Sequence, residues 1–421
     1  MNQRTGLHLT LAVASIALAF FAFYSCLDNE ASLVDAQLLG QAQEAHANPS
    51  SVSSNWRGSW HRPLSQAFLM WEYRVWGLEY ALYLLLQVIL HAVNATLVFA
   101  LFRYPTGTPV AAASAMLFAL GFGFYGTTVF SITGVDQMLA LTFLLAAGIA
   151  AARAQLLRTA GQRIASMFLA SLLFLAGLAC HELAVLALVV IGGYMWPNRR
   201  SGLSVLRKLS LLVLTLAVWV VYQWQHPGSG PATLQQSSSW LWMPWRTLQL
   251  ASWMVVPVDT SLFIGDGTNG SFRLVRLLEQ TRPVYGLAFG VTLGWLFYRG
   301  SGAYRWLASS WIAFLLPVAL LASAGSALSP HDVYLAAPFF CGLLALALRR
   351  FWLRSEGLGR SIAAVILSIT LTVNLLLVRT VEQRSAERGT TPSARAAQEL
   401  LRGVPAVLEE PRQDEETMLR H

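Results

Sequence analysis

At 421 residues, 55% hydrophobic and only 12% charged, with a mean hydropathy of +0.52, the chain is too apolar to be soluble and too long to be a single span. Its formal charge of +8 would suit a nucleic-acid binder, but the basic residues, all arginine except Lys208, sit mostly at the ends of apolar segments, which excludes nucleic acid as a partner. Cys26, Cys180 and Cys341 each fall in or beside an apolar segment without metal-ligand spacing, so neither a disulfide framework nor a zinc site is expected.

Eleven segments are long and apolar enough to cross roughly 30 Å of hydrocarbon. They are Gly6–Cys26, Tyr80–Phe102, Pro109–Gly123, Gly134–Ala152, Ile164–Cys180, Leu183–Trp196, Leu209–Trp224, Pro283–Phe297, Trp306–Ala324, Val333–Leu348 and Ser361–Val378. The first lacks a small-residue cleavage pattern and reads as a retained anchor. With the N-terminus inside, fifteen of the 29 basic residues fall on the cytoplasmic side, and seven of the others lie in the C-terminal tail. Of the 21 acids, only Glu356 is cytoplasmic. The acidic chemistry therefore faces outward. The expected class is an all-α polytopic membrane protein with a transmembrane domain over 1–378 and a largely mobile extracytoplasmic tail over 379–421. An arginine-rich chain without organelle signals suggests a bacterial inner membrane.

The outer loop 27–79 is far longer than a helix connection requires. It carries Asp28, Glu30, Asp35 and Glu44, then His61-Arg62-Pro63-Leu64-Ser65, and its second half, Leu64 to Trp76, has the pattern of an amphipathic helix lying in the interface. A second outer loop, 225–282, holds Trp240, Trp242, Trp245 and Trp253, a density typical of the headgroup layer.

Further on come Trp76-Gly77-Leu78, Leu90-His91-Ala92-Val93-Asn94-Ala95, Leu117-Phe118-Ala119-Leu120 and Ser131-Ile132-Thr133-Gly134-Val135-Asp136, then His181-Glu182 and Tyr334-Leu335 with Pro338. In order and spacing this series resembles the C superfamily of integral-membrane glycosyltransferases (GT-C), most of all the protein O-mannosyltransferases with tetratricopeptide repeats and their bacterial relatives. The likeness covers roughly the first 200 residues well and the rest loosely. The chain departs from the pattern at Gly121-Phe122 and Tyr125-Gly126, where relatives carry a basic and an acidic group, and at Val333, where they carry arginine.

The resemblance implies transfer of a sugar from a polyprenyl-phosphate carrier to a glycan or protein acceptor at the outer face, with membrane lipid as the surrounding partner. It also implies an acid of the first outer loop as the base that activates the acceptor. Asp28 and Glu30 match the family's pair of acids, and Asp35 is a third candidate. A hydroxyl nucleophile needs a carboxylate within hydrogen-bond reach. A phosphate leaving group needs cations and N–H donors rather than a strong acid. Arg62 is the leading phosphate ligand because a guanidinium grips two oxygens at once, with His61, Arg246, Arg282 and His331 as further outer-loop candidates. Asp136, His181 and Glu182 stand at outer span ends, where an ionisable group is usually functional or paired. His91 and Asn94 lie on one helix face and are expected to bond helix to helix. No metal site is legible in the spacing; the outer acids leave room for a divalent cation, and no other cofactor is implied. A lipid-linked glycan polymerase or ligase is an alternative enzyme, and an inactive member or a transporter an alternative outside catalysis. A transporter should show charged or broken spans at mid-membrane, whereas these spans are nearly free of charge there.

Overall fold

The computed structural model describes residues 3–28, 31, 33–48, 62–120, 126–195, 202–225, 300–323 and 333–354, with isolated positions at 247, 250, 254, 287, 290, 291, 294, 298, 357, 361, 364 and 368. Apart from such isolated positions, the expected spans Pro283–Phe297 and Ser361–Val378, the second outer loop and the tail 379–421 lie outside the described residues.

Helix α1, Gln3–Phe23, runs into a 3-10 turn, Tyr24–Asp28. Helices α2, Leu33–Ala47, and α3, Pro63–Trp76, then pack on each other before the long helix α4, Tyr80–Thr106. Next come α5, Thr108–Leu120, α6, Val135–Leu156, α7, Ala160–Cys180, α8, Ala187–Met195, α9, Gly202–Gln225, α10, Gly302–Ser323, and α11, Ala337–Arg354. Among the described residues the regular elements are all helices, and there is no strand. Three helical segments, Tyr80–Thr106, Ile132–Leu156 and Ala160–Cys180, are long and apolar enough to cross a membrane by length and composition. The chain is thus a helical membrane protein.

The helix α3 expected at Leu64 to Trp76 forms there because Pro63 occupies its first turn, where the missing N–H costs nothing. The segment expected as a span at Val333–Leu348 differs in its start: Val333 to Ala336 form a tight turn and the helix begins at Ala337, with Pro338 in its first turn. Helix α2 is an addition to the expected elements. It turns Ala36, Leu39, Ala42 and Ala45 inward at helical spacing and packs beneath α3 through Leu69 and Tyr73.

One buried polar network ties the spans together. His91 Nε2 lies 3.2 Å from the Ala119 carbonyl, which can only accept, so Nε2 donates and Nδ1 accepts from the Tyr334 hydroxyl at 3.0 Å. Asn94 donates to the Met138 carbonyl at 3.1 Å and accepts from Thr142 at 2.8 Å. Thus the His91, Asn94, Leu117–Leu120 and Tyr334 motifs are neighbours and form one joint between α4, α5, α6 and the turn before α11. Outward-facing Ile164, Phe168 and Leu172 form an apolar stripe on α7 at four-residue spacing, the surface a hydrocarbon layer covers.

Glu72 is the anomaly of α3. It is buried, its Oε2 has no hydrogen-bond partner, and burial pushes its carboxyl up to about 8. The folded chain therefore keeps a proton that the unfolded chain releases near its ordinary value of 4.5. Stability is fully present below about 4.5, falls as pH rises, and levels off above about 8. Thermal melts near pH 5 and pH 8.5 should show this loss, on the order of a few kcal/mol, and Glu72→Gln should flatten it.

Candidate active site

Three segments far apart in sequence converge at one end of the helices. Arg62 precedes α3, Asp136 lies in the first turn of α6, and Glu182 opens the 3-10 turn that follows α7. Ser65 holds them together by donating its hydroxyl to the Cys180 carbonyl at 3.0 Å, fixing the start of α3 on the end of α7. Arg62 then reaches Glu182 with two parallel bonds, Nε to Oε2 at 3.0 Å and Nη2 to Oε1 at 2.9 Å, while Nη1 bonds Asp136 Oδ2. The other Asp136 oxygen accepts the Gln137 N–H at 2.7 Å, so the carboxylate also caps its own helix.

Burial works against the Arg62 charge, but Asp136 and Glu182 outweigh it and the guanidinium is held more firmly cationic than usual. Burial likewise opposes ionisation of Glu182, but neighbouring His181 and the charge and hydrogen bonds of Arg62 hold its carboxyl below the ordinary range. Of the two, Arg62 is the stronger cause, because His181 Nδ1 accepts the Leu183 N–H at 3.1 Å and so carries no proton facing Glu182, 3.6 Å away. The side chains of Arg62, Asp136 and Glu182 are 30%, 15% and 21% exposed.

Asp35 sits beside this cluster but outside it. It is buried on α2, and accepts the Tyr80 hydroxyl on Oδ2 at 2.8 Å and the Ser131 hydroxyl on Oδ1 at 2.7 Å. Ser131 and Asp136 belong to one turn, so α2 is pinned to the strip that presents Asp136. The Tyr80 and Ser131 roles are not legible in the sequence, although both residues stand at the ends of expected spans. Asp28 ends the 3-10 turn after α1, where Phe23 meets Phe130 edge to face at 5.5 Å; only its backbone is described. Glu30, His61, Arg246, Arg282 and His331 lie outside the described residues. Among the described residues, no group of three His, Cys, Asp or Glu side chains is placed to hold a metal ion.

Gly134 makes the turn. A Cβ there would run into the Thr128 carbonyl and lie 2.7 Å from the Thr128 methyl carbon, so only glycine lets the segment fold back this closely. Gly134→Ala should shift Asp136 away from Arg62 and destabilise the chain by about 1–3 kcal/mol, the usual cost of overpacking. A chemical denaturation series would read that loss.

No protein-family model matches the chain, and no curated protein sequence does. Solved structures match its fold. The archaeal oligosaccharyltransferase AglB from Archaeoglobus fulgidus, in complex with an inhibitory peptide and a dolichol-phosphate, matches over 98% of this chain and 61% of its own, with 13% identity and a TM-score of 0.52. The Archaeoglobus fulgidus oligosaccharyltransferase tethered to an acceptor peptide matches over 96% and 60%, with 10% identity and a TM-score of 0.50. ArnT from Cupriavidus metallidurans, in the apo state, matches over 95% and 77%, with 14% identity and a TM-score of 0.47. The chain spans about three fifths of the length of the oligosaccharyltransferases it matches. The fold of this chain is similar to that of these oligosaccharyltransferases.

Proposed function

We propose that the chain is a membrane glycosyltransferase that moves a sugar from a polyprenyl-phosphate carrier to a glycan or protein acceptor at the outer face, inverting the anomeric carbon in one displacement. The observation that carries this reading is the gathering of Arg62, Asp136 and Glu182, with Asp35 alongside, at one end of the helices of a fold shared with AglB. Eleven spans, an inside N-terminus and an outside C-terminus belong to the same reading.

In that reaction the acceptor hydroxyl loses its proton to a carboxylate as its oxygen bonds the anomeric carbon, and the carrier phosphate leaves with the electron pair of the broken bond. Asp28 and Glu30, which follow α1 in the sequence, are the bases of choice. Asp35 has each oxygen already engaged by a hydroxyl donor, which suits it to positioning. Arg62 has five N–H donors and spends three, leaving two for a carrier phosphate. One cation against two carboxylates leaves a surplus negative charge, so further cations must complete a phosphate site. His61, Arg246, Arg282 and His331 are the candidates in the chain, and a divalent cation would serve the same need; His181 orients Glu182.

The test is saturable binding. In lipid nanodiscs, undecaprenyl phosphate should raise the melting temperature of the full chain, with a higher half-saturation concentration for Arg62→Lys. A melting temperature indifferent to the carrier lipid would refute the reading.

A further inference from the structure

At the end of the helices opposite Arg62 lies a cavity of about 430 Å³ lined by Ser301, Tyr304, Leu346, Arg349, Arg350 and Leu353. It opens between the start of α10 and the end of α11. Arg349 Nη1 donates to the Thr106 carbonyl at 3.2 Å, which fixes this end of α11 against the last turn of α4, the helix whose first residue bonds Asp35 at the other end. Arg350 lies over the Tyr304 ring at 5.7 Å. The ring holds the guanidinium by its face and leaves its N–H groups to point elsewhere.

Three observations say what kind of ligand fits. The cavity has two guanidiniums, and among the described residues no Asp or Glu lies at this end, since Asp28, Asp35, Glu44, Glu72, Glu79, Asp136 and Glu182 all belong to the far end. The first turn of the 22-residue helix α10 borders it through Ser301 and Tyr304, and the positive end of that helix offsets the negative end of α11 across the cavity, so the two guanidiniums set its charge. Beyond the arginines, α11 carries Phe351, Trp352 and Leu353 outward, 43%, 43% and 66% exposed. Charge calls for an anion, and an apolar rim with tryptophan places that anion at the headgroup layer rather than in free solution.

We propose that this cavity binds the phosphate of an anionic phospholipid from the leaflet at the end opposite the candidate active site, and that the bound headgroup ties α10 and α11 to α4. The proposal does not depend on glycosyl transfer.

The test is native mass spectrometry of the purified full chain with phosphatidylglycerol or phosphatidylcholine. The wild type should retain phosphatidylglycerol in preference to phosphatidylcholine. Arg350→Gln leaves the Arg349–Thr106 bond intact and should bind phosphatidylglycerol about fivefold more weakly, the worth of one basic residue at a membrane surface, while Arg350→Lys should keep most of the binding. Both variants should retain the melting response to undecaprenyl phosphate, which separates this site from the one at Arg62. No preference by the wild type, or equal retention by wild type and Arg350→Gln, would overturn the proposal. Displacement of the lipid by submillimolar inorganic phosphate would overturn the lipid source.

Discussion

Arg62→Ala is expected to reduce both stability and transfer, for reasons that can be separated. The substitution removes three charge-assisted bonds and leaves Asp136 and Glu182 facing each other without a cation. Breaking a fully buried pair in this way costs about 3–5 kcal/mol as a rule, but the partial exposure of all three side chains lets water screen the carboxylates, so about 2 kcal/mol is the expected loss. Arg62→Lys should fall between, because one ammonium cannot bond both Glu182 oxygens and Asp136 together. Adding Glu182→Gln to Arg62→Ala should recover part of the stability by removing an uncompensated charge, and a double-mutant cycle would measure that coupling. Transfer should stay low in the repaired variant, because the N–H donors offered to phosphate are still missing. Normal transfer there would make Arg62 purely structural.

The second large effect belongs to the first outer loop. Asp28→Asn with Glu30→Gln preserves shape and removes basicity, and loss of a general base should cost about a hundredfold or more in rate. The effect should fall on turnover rather than on carrier binding, since neither residue is assigned to the phosphate. Near-normal rates in the double variant would move the base to Asp35 or Asp136. Ser131→Ala separates those two: it removes a donor from Asp35 and leaves the Asp136–Arg62 contact in place.

Helices with a strong apolar pattern are legible in the amino-acid sequence. Tyr80–Thr106 overlaps the expected span Tyr80–Phe102 and adds one turn, and α3 lies where Pro63 and the apolar positions through Trp76 place it. Helix α2 is hard to read because its buried face is built largely of alanine, Ala36, Ala42 and Ala45, whose small apolar surface barely stands out from a polar segment. At the site, Asp136 and Glu182 are legible as ionisable groups at outer span ends. Their union on one guanidinium is not, because Arg62 and Glu182 are 120 residues apart and meet only through packing of α3 on α7. The role given to Arg62 shifts accordingly, from a phosphate ligand alone to the residue that also holds two carboxylates.

Whether the chain consumes a polyprenyl-phosphate-linked sugar is decided by mass spectrometry of lipid-linked sugars, in cells lacking the gene and in cells complemented with wild type or with the Asp28→Asn, Glu30→Gln variant. A single lipid-linked sugar should accumulate without the gene, clear with the wild type and persist with the variant. An identical lipid-linked pool in all three would contradict the account.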